Sequence, residues 1–86
     1  MSYLKPEIVL GWDAEEYEYK GMLPNGWTAI VGLFEDGATI AIRKAKFDIS
    51  AEGYYNTVSH AVRGLNRFLA AWGQDCVVRL GKRGAR

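Results

Sequence analysis

Cysteine and histidine occur once each in this 86-residue chain, as Cys76 and His60. One thiol permits no internal disulfide, and one thiol with one imidazole cannot complete a structural zinc site. No stretch approaches the run of about 18 apolar residues that a membrane helix needs. The segment Met1 to Glu7 has no apolar h-region, so it is not expected to act as a signal peptide. Proline is confined to Pro6 and Pro24, which leaves the middle of the chain free of helix breakers. Net charge is also scarce, at +1. These absences point to a cytoplasmic protein with no membrane, metal or cofactor requirement.

What is present is a hydrophobic content of 49%, enough for one modest core. Tyr54, Val58, Ala61, Val62, Leu65, Phe68, Leu69 and Trp72 recur at steps of three and four. That period puts side chains on one face of a helix. The expected helix spans 50–73. Ser50 serves as N-cap, Ile49 and Tyr54 form a staple, Glu52 lies in the first turn and Gly73 follows the end.

The remaining elements read as strands. Glu7 to Trp12 alternates, with Ile8, Leu10 and Trp12 on one side. Tyr17 and Tyr19 resume the alternation with opposite parity, so a tight turn joining two short strands is expected near Asp13. Gly21-Met-Leu-Pro-Asn-Gly26 is a loop that could present Met22 and Leu23. Trp27 to Phe34 is apolar on both sides and suits a central strand. Glu35-Asp36-Gly37 carries the Asp-Gly hairpin signal. Ala38 to Lys46 returns and ends in Arg43, Lys44 and Lys46, as an edge strand would. Residues 76–80 close the pattern. The expected fold is α+β: an antiparallel sheet of four or five strands, ordered β-β-β-β-α-β, with one helix across a face. Residues 1–81 form a single domain and 82–86 a basic tail.

Three places in the chain hold residues that could carry chemistry. Cys76 precedes two valines and reads as a buried structural thiol rather than a nucleophile. Asp13, Glu15, Glu16 and Glu18 form an acidic cluster. Alternation would set Glu16 beside Glu18, an arrangement able to bind Mg²⁺, although an acidic solvated hairpin is the plainer reading. The loop 21–26 lacks the Gly-Lys-Ser/Thr of a phosphate loop. No catalytic constellation emerges, and the chain is read as a non-enzyme.

Charge is unevenly spread. Residues 1–40 carry two lysines against seven carboxylates, a net −5, and residues 41–86 carry nine Lys or Arg against three carboxylates, a net +6. Asn56, His60, Arg63 and Arg67 form a stripe opposite the apolar helix face. Arg43, Lys44 and Lys46 lie before the helix, and Lys82, Arg83 and Arg86 follow the last strand. These residues, Arg86 aside, are the candidate partner contacts, with Asp13, Glu15, Glu16 and Glu18 as a possible acidic contact face. Gly64 interrupts the helix and points to a close approach by another backbone.

Three resemblances bear on this. An extended strand, a Gly/Pro loop, Gly26-Trp27-Thr28-Ala29-Ile30-Val31, a hairpin and a helix resemble the first half of a ribonuclease H fold. That family's activity needs a carboxylate within the first strand and another after the helix. Ile8-Val9-Leu10-Gly11 and Val77-Val78-Arg79-Leu80 supply neither, so the resemblance implies topology and no catalysis. Strands leading through Arg43-Lys44-Ala45-Lys46 into a helix resemble a double-stranded RNA-binding domain that lacks its first helix. In size, lack of catalytic groups and sheet-plus-helix layout, the chain resembles small phage-encoded anti-CRISPR proteins. That resemblance implies a viral inhibitor that binds a protein complex, often by mimicking or blocking nucleic acid. The expected partner is therefore macromolecular, a protein complex before free DNA or RNA, with a homodimer also possible.

Overall fold

A computed structural model describes residues 5–50 and 54–83. The strands are β1 (Glu7–Asp13), β2 (Glu18–Met22), β3 (Thr28–Phe34), β4 (Gly37–Lys44), β5 (Phe47–Ser50) and β6 (Val77–Leu80), and the helix is α1 (Val58–Ala71). They form one six-stranded sheet in the order β5-β4-β3-β2-β1-β6, with the helix on one face. The fold is α+β, with one strand more than expected.

The parity slip near Asp13 is a turn. Asp13 Oδ1 accepts from the N–H groups of Glu15 at 3.0 Å and Glu16 at 3.1 Å, which folds the chain back. β1 and β2 then pair antiparallel, with Trp12 opposite Tyr19 on the helix side. Glu16 lies in this turn and Glu18 in β2, so the two are not neighbours on one strand as the alternation suggested. In the next loop, Asn25 Oδ1 holds the N–H of Trp27 at 3.1 Å and Gly26 takes φ of 90°. Met22 is presented to solvent, but Leu23 is buried in the core.

Two expectations fail between residues 38 and 58. The strand read as 38–46 stops at Lys44, turns through Ala45-Lys46 and returns as β5, so β5 and not β4 is the edge. The helix read as starting at Ser50 starts at Val58. Ser50 is a strand residue paired with Ala41, and Ile49 pairs with Ile42. Tyr54 lies outside the helix, so the Ile49–Tyr54 staple does not form. Glu52 lies outside the described residues. The true N-cap is Thr57, whose hydroxyl accepts from His60 N–H at 3.1 Å. Cross-strand pairing of the β-branched and aromatic residues at 47–50 outcompetes a helical start there.

The helix end is as expected. Gly73 takes φ of 83°. Its N–H reaches Ala70 O at 3.1 Å and that of Gln74 reaches Leu69 O at 2.9 Å, the two bonds of a Schellman motif. The apolar face is also as expected. Ala61, Leu65 and Leu69 are fully buried against Leu10, Val31, Ile40, Ile42 and Val78. Trp72 closes one end, edge-on to Trp27 at 5.5 Å. Arg63 and Arg67 point outward.

Because α1 crosses the sheet, the strand after it joins the far edge. β6 lies parallel to β1, with Ile8 beside Val78 and Leu10 beside Leu80, as a connection through a helix permits. The sheet is therefore mixed rather than wholly antiparallel. The neighbour at Gly64 is an aromatic side chain and not the backbone that was expected. A Cβ at that position would lie 2.6 Å from Tyr55 Cζ. Tyr55 is itself pinned by a two-way backbone pairing with Ala38, at 2.8 and 2.9 Å.

Candidate functional site

One helix covers one face of the sheet, and alternation sends the other half of the strand residues to the opposite side. Among the described residues, no element packs over that second face. Its floor is small or apolar: Ile30, Gly32, Thr39 and Ala41 of β3 and β4, with Gly11 of β1. Cross-strand register brings Lys20, Ile30 and Ala41 into one row and Met22, Thr28, Arg43 and Asp48 into the next. Between them lies a cleft of about 490 Å³, walled by Glu18, Lys20, Met22, Thr28, Arg43 and Lys44 over Ile30. Ile30 is only 5% exposed although it faces away from the helix, whereas Met22 is 68% and Phe34 56% exposed.

The charges on this face are largely paired. Lys20 Nζ lies 2.9 Å from Asp13 Oδ2 and 3.9 Å from Glu18 Oε2. Arg43 lies 3.6 Å from Asp48, and Arg79 lies 2.9 Å from Glu7. The ammonium of Lys20, with two turn N–H groups, holds the Asp13 carboxyl below its ordinary range, and Asp13 in turn raises Lys20. Glu18 behaves oppositely. Its desolvation in the cleft wall outweighs the nearby lysine and pushes its pKa up. The surface thus alternates in sign and carries no strong net field.

The expected basic contacts do not come together. Arg43 and Lys44 border the cleft, and Lys46 is exposed in the β4–β5 turn. His60, Arg63 and Arg67 lie on the outer side of α1, with Asn56 exposed just before its cap. Sheet cleft and helix stripe are therefore on opposite sides of the molecule. Among the described residues, Arg63 and Arg67 make no ion pair within 4.0 Å. Lys82 is exposed. Arg83 lies back on the sheet, its guanidinium 4.5 Å from the ring centre of Trp12. Arg86 is outside the described residues. Of the acidic set, Asp13 locks its turn, Glu15 and Glu16 are exposed in it, and only Glu18 reaches the cleft.

Lys20, Thr28 and Ile30 are not marked by the sequence, and Met22 is marked only as a residue that the 21–26 loop could present. The available signal was the strand 28–34, apolar on both sides beneath a fold with a single helix. Cys76 is buried, and burial pushes its thiol up, away from the thiolate a nucleophile requires. Among the described residues, no group of three or more His, Cys, Asp or Glu is placed to hold a metal, and no helix is long and apolar enough to cross a membrane. No family model, curated protein or solved structure matches this chain.

Proposed function

We propose that this chain is a small non-enzymatic protein-binding module, an inhibitor or regulator acting in the cytoplasm, that docks through the uncovered face of its sheet. The observation that carries this reading is the cleft over Ile30. It combines an apolar floor, exposed Met22 at its rim, and cations that are already partly neutralised. Phosphate backbones reward unneutralised positive charge, whereas protein interfaces reward an apolar centre with a mixed polar rim. A protein segment carrying one acidic and one apolar side chain fits the Lys20, Arg43 and Lys44 rim around that floor. The likeness to anti-CRISPR proteins makes RNA-guided nuclease complexes the first partners to test.

A second reading rests on Arg63 and Arg67, exposed and without ion pairs among the described residues. With His60 and Lys82, they would supply a phosphate-binding stripe for DNA or RNA.

Affinity purification with mass spectrometry separates the two. The tagged protein is compared with a Met22→Glu/Thr28→Arg variant of the cleft and an Arg63→Glu/Arg67→Glu variant of the helix. A partner that survives the helix changes and is lost with the cleft changes supports docking through the sheet. Binding to DNA or RNA that falls steeply with salt and vanishes in the helix variant supports the second reading. A protein partner unaffected by the cleft variant overturns the first.

A further inference from the structure

Arg83 is the last described residue, and it lies outside strand pairing. The final backbone bond before it is Gly81 N–H to Leu10 O at 2.9 Å. Its side chain nevertheless has a defined seat. The guanidinium stands 4.5 Å from the ring centre of Trp12 and 5.2 Å from that of Tyr17, and Nη2 donates to the Tyr17 hydroxyl at 2.7 Å. The two rings meet edge to face, 5.1 Å apart at 74°, and Tyr19 supports Trp12 from behind at 4.9 Å.

Tyr17 reaches this position at a cost. It takes φ of 57°, a left-handed conformation that bulky side chains rarely adopt. The bond from Leu33 N–H to Tyr17 O, at 3.2 Å, helps to hold it there. A strained aromatic that remains half exposed adds little to the core, and such strain gathers at binding sites. Glu15 and Glu16 are exposed on the same turn. Two aromatic rings and a phenol oxygen are partners that suit a planar cation.

We propose that Trp12 and Tyr17 form a recognition site for an arginine side chain of a protein partner, and that Arg83 is a tethered stand-in occupying it. The site lies at the β1–β2 turn, away from the cleft over Ile30, so it stands or falls independently of docking there. A tethered ligand excludes a free one through its high local concentration. Removing the Arg83 side chain should therefore open the site.

The test titrates N-acetylarginine amide into the full chain and follows the indole N–H of Trp12 by NMR. The Arg83→Ala variant should bind the probe about tenfold more tightly than the native chain. The neutral analogue N-acetylnorleucine amide should not bind. Adding Tyr17→Ala to the Arg83→Ala variant should abolish the response while the core methyl spectrum stays native. Equal binding by native chain and Arg83→Ala, no binding by Arg83→Ala, or binding that persists without Tyr17 would each overturn the proposal.

Discussion

The carboxamide of Asn66 takes both outward backbone groups of Val78. Its Nδ2 donates to Val78 O at 3.1 Å, and its Oδ1 accepts from Val78 N–H at 2.7 Å. β6 is an edge strand, and a free edge invites pairing with another chain. The helix thus covers this edge at Val78 with a single side chain. Asn66→Ala should cost about 1–3 kcal/mol, because two partly buried polar groups lose their partners together. Urea denaturation measures the loss. A value below about 0.5 kcal/mol would mean that water replaces the amide without penalty.

Gly64 yields a prediction whose sign is decided by packing. Alanine favours the helix over glycine by about 1 kcal/mol. A Cβ here, however, runs into the Tyr55 ring, 2.6 Å from Cζ, and overpacking costs about 1–3 kcal/mol. Gly64→Ala should therefore destabilise. In a Tyr55→Ala background the same change should become neutral or stabilising. A double-mutant cycle by chemical denaturation reads the coupling.

Glu18 predicts a pH signature. Desolvation raises its pKa above the ordinary 4.5 in the folded chain, so the folded state holds the proton more tightly than the unfolded state. Stability linked to this group is fully present below 4.5 and is lost as pH rises through the raised value. Asp13 slopes the other way. Its pKa is lowered from 3.8, and its contribution is lost only as pH falls below that. Glu18→Gln should raise Tm at pH 7, and the gain should shrink towards zero below pH 4.5. Thermal melts of both proteins across pH 3 to 7 give the difference curve. A gain that does not depend on pH would assign the effect to packing.

The start of the helix can be tested directly. Thr57→Ala removes the hydroxyl that accepts from His60 N–H and should cost about 1 kcal/mol. Ser50→Ala, in exposed β5, should stay within about 0.5 kcal/mol. The opposite ranking would restore the longer helix.

The amino-acid sequence alone determined the local periodicities. The step of three and four through Ala61, Leu65 and Leu69, the Gly73 stop, the Asp36-Gly37 hairpin and the turn at Asp13 all depend on neighbours within a few positions. The α+β layout and the outward arginines of α1 followed from those patterns. Ser50 was misread because its hydroxyl suits a cap or a strand edge equally, and only the pairing of residues 47–50 with β4 decided between them. Asn66 carried one hint, since asparagine is a poor mid-helix residue that seeks backbone partners, but Val78 lies twelve positions away. The cleft over Ile30, the parallel placement of β6 and the seat of Arg83 on Trp12 arise from strands brought together across the sheet. Long-range pairing chooses among arrangements that local pattern leaves equivalent, which is why tertiary structure alone settled them.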